Sequence, residues 1–237
     1  MARLFLGARA LQRDWQVGDG REEAAAQAVL TRAPRGDLDA AIATLDQFAS
    51  REKLLINVGD EKGAILDQAV RRAAPRRALE LGAYVGYSAL RIARALPTGG
   101  HLFSIELNPA NAEIARRIAA HAGADDRITF IVGSLGDGGQ TLAALREAHG
   151  FTERSVDFVF LDHAKEAYLP DLMSILDAGW LHPGSVVVAD NVRFPGAPAY
   201  RRYMDAEEGK RWRTVRHAAH AEYQRWVKDE VWESTLG

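Results

Sequence analysis

Beyond residue 75 the chain alternates short, continuous apolar runs with helical stretches, a rhythm that restricts it to a parallel sheet wrapped by helices. The runs are Ala78 to Leu81, Leu102 to Ile105, Ile128 to Val132, Val156 to Leu161 and Val186 to Ala189. Each is largely apolar instead of alternating, as strands covered on both faces have to be. The expected fold class is α/β, with a doubly wound, mostly parallel sheet. Ahead of it, Asp37 reads as an N-cap followed by Leu38, Ile42, Leu45 and Phe48 at helical spacing, and another helix is expected over about 21–32. Trp212, Tyr223, Trp226, Val227, Val231 and Trp232 lie in charged surroundings that suit antiparallel strands added at one edge. Residues 21–237 are expected to form one domain, with 1–20 as an extension that could be flexible.

Composition narrows the chemistry. A chain of 237 residues, 47% hydrophobic and 26% charged, can bury a large core. Its net charge of -2 lacks the basic surplus that grips a nucleic-acid backbone, so the expected partner is a small molecule. There is no cysteine, which excludes disulfides and thiolate metal sites and leaves oxygen and imidazole ligands. No apolar run approaches the roughly 20 residues that span a bilayer. Met1 to Arg9 alternates arginine with apolar residues like a targeting segment, but arginine is abundant throughout, so a cytoplasmic protein without membrane attachment is expected. Only five of the 30 basic residues are lysines, which singles out Lys62 and Lys165.

In open parallel sheets ligands bind beyond the carboxyl ends of the strands. The first strand runs into Glu80-Leu81-Gly82-Ala83-Tyr84-Val85-Gly86-Tyr87-Ser88, a glycine turn before a helix. Its Gly-x-x-x-Gly spacing is not the dinucleotide fingerprint, so a nucleoside without pyrophosphate fits better. The second strand ends at Glu106, where a carboxylate can accept both ribose hydroxyls. Together these features suggest S-adenosylmethionine, although each alone is equally a tight turn or a solvated glutamate.

The fourth strand ends Phe160-Leu161-Asp162-His163-Ala164-Lys165 and the fifth Val188-Ala189-Asp190-Asn191. Asp162, Asp190 and Asn191 make a hard oxygen set suited to Mg²⁺, which takes about six oxygen ligands and keeps some water. Three protein ligands leave room for two adjacent hydroxyls, which would favour a vicinal diol over a single phenol. Lys165 could take the hydroxyl proton if burial or a nearby cation leaves its amine neutral. The plainer readings are that Asp162 caps a helix, Lys165 is solvated, and Asp190-Asn191 forms an Asx turn. His163 reads as a packing or cofactor-contact residue.

These segments, with Asn57-Val58-Gly59-Asp60, Tyr168-Leu169-Pro170-Asp171, Pro195-Gly196-Ala197-Pro198 and Glu222-Tyr223, resemble the catechol O-methyltransferase family over roughly residues 21–230. The resemblance implies a class I methyltransferase, Rossmann-like, with S-adenosylmethionine and Mg²⁺ as cofactors, acting on a catechol as a monomer or weak homodimer. It implies Asp162, Asp190 and Asn191 as metal ligands, Lys165 as general base, and Glu222 as holder of the second substrate hydroxyl, with Asn191 also touching substrate. From the residues alone, Glu222 would be placed on the surface of an edge strand. It further implies cofactor contacts from Val58, Glu80, Gly82, Tyr84, Ser88, Glu106, Leu107 and His163, with Ser88 meeting the methionine carboxylate at a helix N-terminus. Leu54 and Ala164 stand where the family has aromatic residues, and Leu135-Gly136 replaces a polar pair near the adenine, so a roomier pocket follows. Larger phenylpropanoid or flavonoid diols are the rival substrates, and a silent S-adenosylmethionine-binding module is a weaker alternative.

Overall fold

The turn chemistry of this chain decides where each strand stops, and the computed structural model describes residues 16–237. Three helices lead: α1 (Arg21–Arg32), α2 (Leu38–Arg51) and α3 (Gly59–Ala73). The Asp37 side chain accepts from Ala40 N at 2.9 Å and starts α2 as an N-cap should. Strands and helices then alternate through β1 (Arg77–Leu81), α4 (Tyr87–Ala95), β2 (His101–Glu106), α5 (Pro109–Ala122), β3 (Ile128–Val132), α6 (Gln140–His149), β4 (Phe158–Leu161), α7 (Tyr168–Asp177) and β5 (Val186–Ala189). Helix α8 (Pro198–Glu207) and the hairpin β6 (Trp212–Ala221) and β7 (Gln224–Leu236) complete the chain.

The sheet order is β3-β2-β1-β4-β5-β7-β6, with β7 antiparallel to both β5 and β6. The chain winds outward from β1 in one direction and from β4 in the other, so the order reverses between these neighbours, where open α/β sheets bind ligands. Phe158 and Phe160 join the layer of α1 to α5, whereas Val159 and Leu161 pack with α6 to α8. This is why the runs are largely apolar. Trp180, Trp212 and Trp232 are fully buried on the second face, each contributing on the order of 2–3 kcal/mol of apolar burial.

Two expectations shift. Val156 and Asp157 precede β4, because Asp157 Oδ2 accepts from Arg76 N and Arg77 N, both at 2.9 Å, and so ties down the start of β1. Glu222 and Tyr223 lie in the turn of the β6–β7 hairpin instead of in a strand, with Tyr223 at φ 54° and a register irregularity at His220/Ala221. Of the expected extension, residues 16–20 are tied to the domain: Gln16 Nε2 donates to Asn111 Oδ1 at 3.0 Å and Val17 N to Glu22 Oε1 at 2.9 Å. The arginine-rich Met1 to Arg9 lies outside the described residues. Among the described residues no helix is long and apolar enough to cross a membrane.

Candidate active site

The carboxyl ends of β1, β4 and β5 are laced together past their last strand residues. Gly82 N donates to Ile105 O at 2.9 Å, Asp162 N to Leu81 O at 3.0 Å and Asp190 N to Leu161 O at 3.0 Å. Gly82 has φ 99°, and a Cβ there would stand 2.6 Å from the Asp162 carbonyl oxygen. Only glycine lets these two strand ends approach so closely.

On the β1–β2 side, Glu80 is fully buried, accepts from the hydroxyl of Ser104, and keeps Oε1 without a partner among the described residues. Burial pushes its carboxyl up to about 7. A bare buried carboxylate oxygen is a receptor for a cationic or hydroxyl group of a ligand. Ser88 is buried in the first turn of α4. Glu106 is oriented by Tyr84 N at 2.8 Å and Asn108 N at 2.9 Å, and burial raises its carboxyl too. Tyr84 sits at φ 49° with its hydroxyl donating to Glu22 Oε1 at 2.9 Å. Val58 is buried at the start of α3, and Leu107 is exposed beyond β2. His163 Nε2 pairs with Asp171 Oδ2 at 2.9 Å and its ring stacks on Tyr168, while its buried Nδ1 has no partner among the described residues.

On the β4–β5 side, Asp162, Lys165, Asp190 and Asn191 come together. Lys165 opens a single 3₁₀ turn (Lys165–Ala167) and donates to Asp162 Oδ1 at 3.0 Å and to the Tyr168 hydroxyl at 2.7 Å. That hydroxyl donates in turn to Asp190 O at 3.0 Å. Two of the plainer readings do not hold: Asp162 caps no helix and the Lys165 side chain is only 17% exposed. Asn191 is left-handed at φ 52° with its N–H held by Asp190 Oδ1 at 2.7 Å, so a local turn does form. Burial raises the carboxyls of Asp162 and Asp190, while Lys165 and Lys62 pull them back. Asp190 Oδ2 is buried without a partner among the described residues. Asn191 Nδ2 donates to Glu222 Oε1 at 2.8 Å and to Asp229 Oδ2 at 3.0 Å, which leaves its carbonyl oxygen as a potential ligand. Among the described residues no three carboxylate or imidazole groups form a metal-binding cluster. The candidate donor set is two carboxylates and one amide, a hard oxygen set.

Glu222 reaches this group from the hairpin turn, and a cavity of about 220 Å³ is lined by Val58, Gly59, Lys62, Glu222 and Tyr223 among others. Its side chain is 21% exposed, so the surface position that the residues alone suggest is corrected. Residue-level reasoning also missed Asp229, which sits in a charged tail segment, Lys228-Asp229-Glu230, that reads as solvated. Lys62 carried one signal, the scarcity of lysine.

This strand order, with a closing antiparallel hairpin and acidic residues gathered at the switch point, is the class I methyltransferase fold. The model of a family described as O-methyltransferase matches residues 36–219. A probable O-methyltransferase of Mycobacterium tuberculosis is 60% identical over 228 residues, covering 96% of this chain and 97% of that protein. Catechol O-methyltransferase B of Danio rerio is 40% identical over 199 residues, covering 84% of this chain and 73% of that one. Among solved structures, the O-methyltransferase TomG from Streptomyces achromogenes, in complex with SAM, superposes with a TM-score of 0.64 at 26% identity, covering 82% of this chain and 88% of that one. The chain belongs to the O-methyltransferase family.

Proposed function

We propose that the protein moves the methyl group of S-adenosylmethionine to one hydroxyl of a catechol held on Mg²⁺ by Asp162, Asp190 and Asn191. The observation that carries this reading is the convergence of those three oxygen donors with Lys165 and Glu222 at the ends of β4 and β5. The unpartnered Asp190 Oδ2 and the amide oxygen of Asn191, whose nitrogen is engaged by Glu222 and Asp229, fit a hard cation. When bound, Mg²⁺ supplies a Lewis acid that acidifies a coordinated hydroxyl.

The protein's own groups do the rest. Lys165 Nζ, located by Asp162 and Tyr168, receives the hydroxyl proton. The oxygen then attacks the methyl carbon, the carbon–sulfur bond breaks with its electron pair on sulfur, and S-adenosylhomocysteine leaves. Glu222 accepts from the second hydroxyl and fixes which one reacts. Glu80, Glu106 and His163 offer the polar groups for the cofactor, and in-line positioning supplies several kcal/mol of barrier reduction. The SAM complex of TomG supports this choice of cofactor, and the catechol O-methyltransferase relative supports the choice of substrate class.

Larger diols are a second reading, favoured by Leu54 and Ala164, small side chains left half-buried where the family has aromatic rings. A screen of 3,4-dihydroxybenzoate, caffeate, flavonoid diols and matched mono-phenols, with Mg²⁺ and with EDTA, tests both. Every substrate turned over should be a vicinal diol and every rate should fall with EDTA. Turnover of a mono-phenol at a comparable kcat/KM would remove chelation from the mechanism.

A further inference from the structure

Lys62 is 1% exposed, and its ammonium is met by three carboxylates: Glu222 Oε1 at 2.6 Å, Asp190 Oδ1 at 2.9 Å and Asp229 Oδ2 at 3.1 Å. The contacts to Glu222 and Asp229 are hydrogen bonds, and that to Asp190 is an ion pair. Burying such a charge is costly even when it is paired, and an apolar side chain of the same size often stabilises a fold as well or better. Stability therefore gives no reason for this lysine, and the orientation of its partners does.

Asp229, 2% exposed on β7, accepts from Lys62, from Asn191 Nδ2, from Phe194 N at 2.9 Å and from Arg193 N at 3.3 Å. It ties α3, β7 and the turn after β5 to one point. The Asn191 amide now has one permitted orientation, because a flip would set its oxygen against the carboxylates of both Glu222 and Asp229. Glu222 Oε1 is held from two sides, by Lys62 and by Asn191, which leaves Oε2 to offer to a substrate.

We propose that Lys62 and Asp229 are positioning residues of the transfer: a buried ion pair that fixes the Asn191 carboxamide toward the cation and the Glu222 carboxylate toward the second hydroxyl. This rests on the function proposed above. It implies that the pair governs substrate hold and the choice of hydroxyl and leaves the cofactor site alone.

Because Lys62→Met alone leaves three carboxylates, two of them buried, without their cation and can fail to fold, the test uses the charge-balanced pair Lys62→Met/Asp229→Asn beside it. Folding is checked by thermal melting and cofactor binding by calorimetry with S-adenosylhomocysteine. The paired variant should bind this product within about twofold of the parent, yet its KM for 3,4-dihydroxybenzoate should rise about tenfold or more, and its ratio of the two monomethylated products should move toward one. Its Mn²⁺ affinity, read by electron paramagnetic resonance without turnover, should fall about tenfold, the loss typical when a residue orienting a metal ligand is removed. A folded pair whose KM and product ratio match the parent overturns the proposal. A parent enzyme inert toward every catechol overturns the functional reading and this proposal with it.

Discussion

Replacing Lys165 by alanine should lower kcat for a catechol by about 10³-fold while S-adenosylmethionine binding stays within about threefold, since a positioned general base contributes on the order of 10²–10⁴ in rate. That factor corresponds to about 4 kcal/mol of barrier. The lysine's polar contacts are Asp162 and Tyr168, both on the β4 side, so its loss leaves Glu80 and Glu106 in place. Burial already raises the Asp162 carboxyl and Lys165 opposes this, so the variant also makes Asp162 harder to ionise. Calorimetric Mn²⁺ titration of the variant separates the two effects. Unchanged metal affinity with the expected loss of kcat assigns the loss to the missing proton acceptor, and a kcat within about tenfold of the parent removes Lys165 from that role.

The second large effect is expected at Asp190. Asp190→Asn should cost about 10²-fold or more in kcat/KM at millimolar Mg²⁺, because an anionic ligand to the Lewis acid is worth several kcal/mol. Stability should move little or rise, since the substitution removes a charge whose burial is unfavourable, although Lys62 loses one of its three carboxylates. Kinetics at rising Mg²⁺ together with a melting curve check both halves. A variant that melts well below the parent would mark Asp190 as a structural residue first.

The fold was legible in the sequence because strands covered on both faces have to be largely apolar, and the glycine turn after β1 announced itself at Gly82. The strand-end residues Asp162, Lys165, Asp190 and Asn191 were legible for the same reason, as polar groups standing where apolar runs stop. Glu222 was visible only through family resemblance, and Asp229 not at all. Both come from the β6–β7 hairpin, which carries no such break in pattern: their meaning depends on an antiparallel pairing that brings residues 222 and 229 beside residue 62, 160 and 167 positions away. Local periodicity carries no information about contacts of that span. Lys62 was marked by rarity, but its partners became visible only with the packing of α3 against the hairpin.

The most direct measurement loads the parent enzyme with Mn²⁺ and S-adenosylhomocysteine and adds 3,4-dihydroxybenzoate carrying oxygen-17 in both hydroxyls. Chelation of the diol predicts broadening of the manganese resonance lines by two oxygen-17 nuclei, lost in Asp190→Asn. Lines that stay sharp with the diol demonstrably bound would contradict the claim that a cation held by Asp162, Asp190 and Asn191 grips both hydroxyls.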